Sequence, residues 1–498
     1  MTERRNLVFI LTDRQRFDTM RCYGNDWIQT PHLNTLAEQS AVFEHAYVTQ
    51  AICAPSRSSI MTGLYPHASG VPRNQLIMPD HVQTLTEMVS DEFHRGLVGK
   101  WHLGNELTRQ HGFNEWVSFI DTLWRDSPRT EHLGQFSDYH HFLLQEGLEP
   151  DLDVPGGKVF SDSLRGKLPV ELQMASFLTD RAVEFINRNV ARPFILYINL
   201  LEPHPPFAQP FNDLYDPVEL PVDPTFLEKP ERGSEFNRIR SDYYMSMSSL
   251  DEDAIPEGEG YDLTTEMGWR RLRASYFGNV TPVDNAVGTI VDVLERTGIA
   301  DDTAIVFTSE HGDMMGSHAM LNMRNFYEAA CHIPLLIRVP WLKENGTIIP
   351  GNFSQIDLVP TLLEILGETV PGHLQGVSRA AVLRGEATLE GNDIVVQHNG
   401  IPERDMMKAT ASSGSTRRYR ERINYLNTLP RRSIVTADRW KLNLGVEDEG
   451  ELFDLNADPN EFDNLFSDTS HRDRVRRMAD KLRRWQHETG DSAELPSV

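Results

Sequence analysis

The run Cys53-Ala54-Pro55-Ser56-Arg57-Ser58-Ser59-Ile60-Met61-Thr62-Gly63 concentrates more chemistry than any other stretch of the chain. A lone cysteine is ordinarily an inert small hydrophobe, but its neighbours alter that reading. Pro55 sets a turn, and Ser56 is placed to cap a helix beginning there. The cysteine would then face backbone N–H groups at the positive end of the helix, an arrangement that favours anions. Arg57 adds a permanent cation that packing does not require. Other reactive groups follow short apolar runs: Thr12-Asp13, Glu202-Pro203-His204 and Ser309-Glu310-His311. Lys100 and His102 stand two apart, which on an extended segment places them on one face.

The elements that must position these groups are legible as patterns. Residues 7–11, 194–200 and 304–307 are short apolar runs of the kind buried on both faces of a parallel sheet. In open α/β sheets ligands gather beyond the carboxyl ends of the strands. Three such ends bearing acid and imidazole predict one composite site. Thr281-Pro282 opens a helix with Val283, Val287, Ile290, Val291 and Leu294 at helical spacing, and residues 357–366 repeat the pattern. Residues 209–266, rich in Pro, Asp and Glu and peaking at residues 250–260, read as a surface insertion in a catalytic domain of residues 1–383. A smaller α+β subdomain over 384–498 follows, with adjacent antiparallel strands near Ser433 and Trp440 and a charged terminal helix over 472–487.

The Cys-x-Pro-Ser-Arg string with its Thr-Gly ending resembles the signature of formylglycine-dependent sulfatases, members of the alkaline phosphatase superfamily that also includes phosphonate monoester hydrolases. Four more strings are similar to that family in order along the chain, beyond the opening Asp13. They are Gly99-Lys-Trp-His-Leu-Gly104, Pro203-His-Pro-Pro-Phe207, Ser309-Glu-His-Gly312 and Glu451-Leu-Phe-Asp-Leu-Asn-Ala-Asp-Pro459. The resemblance implies a large mixed, mostly parallel α/β sheet between helices, with a smaller C-terminal antiparallel sheet and helix. It implies that Cys53 is oxidised to 3-oxoalanine (formylglycine) by a formylglycine-generating enzyme. The hydrate of that aldehyde is the nucleophile, and its second hydroxyl expels sulfate where a thiol would leave a stable adduct.

By the same resemblance Arg57 supports residue 53, Lys100 contacts sulfate oxygens, His102 contacts the nucleophile, and His204 is a general acid or sulfate contact. Asp13, Glu310, His311 and modified Cys53 are the implied ligands of a divalent metal, Ca²⁺ ahead of Mg²⁺ or Mn²⁺. The chain departs from the family at three places: Arg14 where a second ligand is usual, Glu310 where Asp is usual, and Met323 where Lys is usual. Arginine does not ligate cations, so a metal-poor site in which Arg14 supplies part of the charge is the rival reading. Arg14, Asn74 and Arg324 are the candidate substrate contacts, Arg324 standing next to the missing lysine.

Composition narrows the field further. Forty-eight Lys and Arg against 73 Asp and Glu leave a net charge of −25, which argues against nucleic acid or an anionic membrane as partner. Three cysteines (Cys22, Cys53 and Cys331) are too few for a disulfide framework in 498 residues. The apolar run at 7–11 is too short for a secretory leader, and Asp13, Arg14 and Arg16 follow it at once. A cytoplasmic enzyme acting on a small-molecule or glycan-fragment sulfate ester is therefore expected. The acidic insertion and terminal helix are candidate contacts for a homo-oligomer. A phosphonate monoesterase or phosphodiesterase on the same scaffold is the alternative, and a non-catalytic oxyanion-binding homologue the second alternative.

Overall fold

A computed structural model of the protein describes residues 5–121, 134–154, 156–207, 210–247, 261–342, 346–401 and 414–498. Among these, one large sheet is built from β1 (Asn6–Thr12), β2 (Ala41–Tyr47), β3 (His94–Gly99) and β4 (Glu115–Val117). A short hairpin of β5 (Leu152–Val154) and β6 (Gly157–Val159) stands apart from it. The large sheet continues with β7 (Phe194–Asn199), β8 (Thr303–Ser309), β9 (His332–Ile333), β10 (Leu335–Arg338) and β11 (Thr347–Ser354). Its order is β11-β2-β10-β8-β1-β7-β3-β4, with β9 paired to β2. β10 is antiparallel to both β8 and β2, and β9 to β2, while the other pairs are parallel.

The three predicted apolar runs become β1, β7 and β8, the central neighbours of that sheet, and every residue in them is buried. Alternate side chains of β1 enter different cores. Leu7, Phe9 and Leu11 pack on one face, whereas Val8 and Ile10 pack with the Met174–Asn189 and Val280–Arg296 helices on the other. Covering both faces is what makes these strands apolar throughout. The Val280–Arg296 helix carries Pro282 in its first turn, where the missing N–H costs nothing. Residues 357–366 fold as a 3₁₀ turn, Gln355–Asp357, leading into the Leu358–Leu366 helix.

The C-terminal sheet runs β12 (Ile394–His398), β13 (Arg431–Val435), β14 (Trp440–Gly445) and β15 (Glu451–Asp454), antiparallel at each step. Val395, Ile434, Leu442, Leu444 and Leu452 cover the apolar face of the terminal Arg472–Thr489 helix at Val475, Met478, Ala479 and Leu482.

The expected surface insertion differs from a solvated loop. Residues 248–260 lie outside the described residues, but Glu235–Met245 is a helix whose buried Arg240 donates to the carbonyls of Leu321 and Met323 (3.2 and 2.7 Å). Asp223 is paired with Arg273 at 2.5 Å and with Arg16 at 3.8 Å. Asp223 of this segment thus neutralises two buried arginines, Arg16 and Arg273. No helix among the described residues is long and apolar enough to cross a membrane.

Candidate active site

Strand register places the reactive groups side by side. Thr12 is level with Ser309, and Leu11 and Gly99 are both level with Asn199. The residues just past these pairs, Asp13, Glu310 and Lys100, therefore emerge together at the carboxyl edge. Pairing even continues through them: the Glu310 N–H donates to Thr12 O at 3.0 Å and the Lys100 N–H to Asn199 O at 3.0 Å. Gly99 is required for this approach. Its φ is +113°, and a Cβ there would lie 2.0 Å from the Asn199 carbonyl oxygen.

Cys53 opens the Cys53–Thr62 helix, all of whose residues are buried. Ser56 does not cap it, contrary to the sequence expectation. The helix starts three residues earlier, and the Ser56 hydroxyl donates instead to the Glu310 carbonyl, with Gln355 Oε1 3.2 Å away. Asn74 does part of the capping from another loop, its Oδ1 accepting the Ala54 N–H at 2.9 Å. The Cys53 sulfur sits at the positive helix end, 3.3 Å from His311 Nε2. Arg57 follows one turn later on the same face. It contacts the Glu310 carboxylate, lies 3.8 Å from Asp13 Oδ2, and donates to the Lys100 carbonyl at 3.0 Å. The extra methylene of Glu310 thus carries a carboxylate to the arginine of the cysteine motif.

One donor atom each from Asp13, Cys53, Glu310 and His311 lies within 4.8 Å of the others. Asp13 Oδ2 accepts from Lys100 Nζ at 2.5 Å, but Asp13 Oδ1 is buried with no hydrogen-bond partner among the described residues, and the Glu310 oxygens have only ion-pair contacts, to Arg57 and to His311 (3.2 Å). Buried oxygens in that condition are costly unless a cation or solvent completes them. The donor set, two carboxylates with an imidazole, fits a divalent cation. His311 Nδ1 donates to the Gly312 carbonyl at 2.8 Å, and Nε2 points into the donor cluster, 3.3 Å from the Cys53 sulfur and 3.2 Å from Glu310 Oε1, where it carries a proton that a bound cation would displace. Burial pulls the His311 pKa down, but the Cys53 sulfur and the Glu310 carboxylate beside it raise it to about 10. Asp13 is held well below the carboxylate range: burial opposes this, and Lys100, with Arg57 behind it, outweighs burial.

Lys100 and His102 do not lie on an extended segment. β3 ends at Gly99, and His102 has a left-handed φ of +60°. Glu106, which the sequence reading missed, holds this turn by accepting the Trp101 and His102 N–H groups at 3.0 and 2.6 Å. Burial, Lys100 and Arg57 drive the His102 pKa well down. His204 Nδ1 donates to its neighbour's carbonyl, Pro205 O, at 2.6 Å. Burial and then Arg14 push the His204 pKa down to about 3. Both imidazoles are neutral before substrate arrives.

Arg14 is buried at the edge of the site. One guanidinium nitrogen donates to Asn322 Oδ1 at 2.6 Å and to Asp313 Oδ2 at 3.3 Å, two residues that no sequence signal singled out. Its charge bears on His204 but not as a metal ligand. Arg324 sends its backbone N–H to Ala51 O (3.2 Å), just upstream of Cys53. It also lines a small cavity with Phe236, Asn237, Arg431 and Glu451, toward the C-terminal sheet. Cys22 is half-buried and Cys331 buried, both outside the donor cluster.

The Sulfatase family model matches residues 5–368 of the chain. A second model, of the C-terminal part of N-sulphoglucosamine sulphohydrolase, matches residues 316–430. The N-acetylglucosamine-6-O-sulfatase of Bacteroides thetaiotaomicron is 26% identical, over 99% of this chain and 88% of its own. Among solved structures, the phosphonate monoester hydrolase of Silicibacter pomeroyi superposes with a TM-score of 0.78 at 23% identity, covering 97% of this chain and 96% of its own. A structure bound to its substrate D-glucosamine-2-N,6-O-disulfate superposes with a TM-score of 0.72 at 21% identity, covering 98% and 99%. At that identity these two likenesses establish the fold, an alkaline-phosphatase-like sheet with a small antiparallel sheet behind it.

Proposed function

This chain belongs to the sulfatase family, and from that premise we propose that it cleaves a sulfate monoester with a nucleophile made from Cys53. As a sulfuric ester hydrolase it releases an alcohol and inorganic sulfate. The observation that carries the finer reading is the placement of Cys53 at a helix N-terminus, inside a ring of incompletely bonded carboxylates and two cations. An aldehyde hydrate at residue 53 supplies the attacking hydroxyl and the second hydroxyl that releases sulfate, and a divalent cation (Ca²⁺, Mg²⁺ or Mn²⁺) supplies further positive charge.

Asp13, Glu310, His311 and modified residue 53 would hold that cation, and Asp13 Oδ2 stays with Lys100. Arg57 keeps residue 53 and Glu310 in register, while Lys100 presents its ammonium to the sulfate oxygens. His102 lies within the field of Lys100 and Arg57, where residue 53 is handled. With Nδ1 engaged by Pro205, His204 offers Nε2 to the substrate. The negative charge of the bound ester opposes the cations that depress His204 and favours a proton on Nε2, which passes to the leaving oxygen. The substrate class is a small sulfate ester or sulfated glycan fragment. A 6-O-sulfated N-acetylglucosamine is the first sugar to try, because the Bacteroides relative is named for that linkage.

The test is protein matured in a host that has the formylglycine-generating enzyme, with the Cys53 peptide weighed by mass spectrometry. The aldehyde mass, together with hydrolysis of 4-nitrophenyl sulfate that is lost in Cys53→Ala, is the expected result. An unmodified thiol, from a host that modifies a control sulfatase, overturns the mechanism. Faster hydrolysis of a phosphonate monoester than of the sulfate would move the assignment to the phosphonate branch.

A further inference from the structure

Residue 53 hangs on two loops as well as on its helix. Residues 49–52 precede it, and Asn74, which fastens the Ala54 N–H, follows the loop that begins at Pro72. Gln50 joins the two loops. It is 1% exposed, and its Nε2 donates to the Pro72 carbonyl at 3.0 Å. The other end of the Gln50 amide is held from the C-terminal sheet: Asn399 Nδ2 donates to Gln50 Oε1 at 2.7 Å. Asn399 Oδ1 in turn accepts from Arg432 at 2.9 Å. Arg432 is buried on β13 and locked to Asp491 by two hydrogen bonds of 3.0 and 2.5 Å. Gln486 of the terminal helix also donates to Asp491, at 2.8 Å.

The direction of this series is forced at both ends. A guanidinium has donors only, so Asn399 must turn its oxygen to Arg432 and its NH₂ to Gln50. Gln50 must then accept through Oε1 and donate through Nε2. That matches the far end, because a proline carbonyl only accepts. Each amide is oriented by the one before it, and an error at one link turns the next.

We propose that Arg432–Asn399–Gln50 is a one-way hydrogen-bond relay through which the C-terminal sheet positions residue 53. Asn399 and Gln50 are positioning residues, acting through the loops at 49–52 and 72–74 and not on the substrate. A second tie runs beside it, since the Gln397 N–H donates to Thr49 O at 2.6 Å, but that tie leaves the side chain of Gln50 unconstrained. The carboxyl-terminal unit is on this account part of the catalytic apparatus, although it supplies none of the four donors.

The relay stands on geometry alone, whereas its kinetic consequence rests on the sulfatase reading above, so the two are tested separately. In protein made without the maturation enzyme, residue 53 is a thiol. Its alkylation by iodoacetamide is followed by peptide mass spectrometry, with Cys22 and Cys331 as internal references. Asn399→Ala and the isosteric Gln50→Glu are each expected to speed alkylation of Cys53 about tenfold, the scale of one lost buried hydrogen bond, without changing the references. An unchanged Cys53 rate, or an equal rise at Cys331 that signals general loosening, overturns the relay. Where Asn399→Ala fails to fold, Gln50→Glu carries the test. In matured protein the same variants are expected to lower kcat about tenfold with KM within about twofold, and the double variant to be no slower than the slower single. Additive losses overturn the shared route. Absence of sulfate-ester turnover in the parent protein, with the alkylation response intact, removes the functional reading and leaves the relay.

Discussion

Two clusters of two acids and two bases are buried in this protein, and their hydrogen bonding is completed to different degrees. Between the C-terminal sheet and the main domain, Lys441 Nζ reaches Phe326 O, Glu461 Oε1 and Glu328 Oε1, each at 2.7 Å. The remaining oxygens there are used as well: Glu328 Oε2 accepts from Tyr47 at 2.8 Å, Glu461 Oε2 accepts the Glu328 N–H at 2.7 Å, and Arg439 closes on Tyr47. At the strand ends, Asp13, Glu310, Arg57 and Lys100 have the same charge balance, yet three carboxylate oxygens and two guanidinium nitrogens make no hydrogen bond among the described residues, against Glu328 Oε1 alone in the first cluster, and Glu310 is held only by ion-pair contacts to Arg57 and His311. A completed buried network fastens parts together; an incomplete one is poised for a ligand. The difference lies in whether backbone groups and hydroxyls have been brought up to finish the bonding, and not in the number of charges.

That contrast predicts different losses. The largest is expected at the incomplete cluster: Asp13→Asn should lower kcat about 10³-fold. It should also abolish the rise in melting temperature that divalent cations give the parent protein, which at a hundredfold excess over Kd corresponds to about 2.7 kcal/mol. A variant that keeps either property would show that Asp13 is not a ligand. Next in size, Lys441→Met should cost about 3–5 kcal/mol in denaturant melts, because Glu328 and Glu461 lose their central cation. Its loss of turnover per folded molecule should be far smaller than that of Asp13→Asn. The reverse ranking would erase the distinction.

A third buried acid sharpens the comparison. Glu202 is 1% exposed and its carboxyl oxygens make no hydrogen bond of good geometry among the described residues, but it lies outside the donor cluster. Burial raises its pKa to about 7, so that it takes up a proton far more readily than an exposed glutamate. The folded state then binds this proton more tightly than the unfolded state, so stability falls as pH rises from the unfolded value of a glutamate toward 7. Glu202→Gln should be near neutral at pH 5 and stabilising by up to about 3 kcal/mol at pH 8. Melting curves at the two pH values check this, and an equal effect at both would show that Glu202 is ionised throughout.

Much of the site was legible before the fold. Apolar runs ending in Asp13, His204 and Glu310-His311 announce buried strands with polar ends, because strands covered on both faces have no room for polar residues until they emerge. The residues that hold the site in shape were not legible. Glu106 fixes the turn at His102, while Asp313 and Asn322 take up Arg14. Each is an ordinary acid or amide in the sequence, and its role depends on a partner that the chain alone does not designate. Ser56 reads as a cap by local rule, yet tertiary packing brings the Glu310 carbonyl to its hydroxyl. The acidic stretch at 209–266 reads as solvated by composition, yet Asp223 and Arg240 are spent inside the molecule.

The Cys53 motif, the basic residues around it and the resemblance to the family were legible in short strings, since a helix N-terminus or a strand end is a local event of a few residues. The closing of four donors to within 4.8 Å, the oxygens left without a hydrogen bond and the series from Asp491 to Gln50 were decided only by the folded chain. Hydrogen bonding and Coulomb attraction act over a few ångströms, and the residues concerned are separated by up to several hundred positions along the sequence. Only strand order, register and the docking of the second sheet bring them within that range.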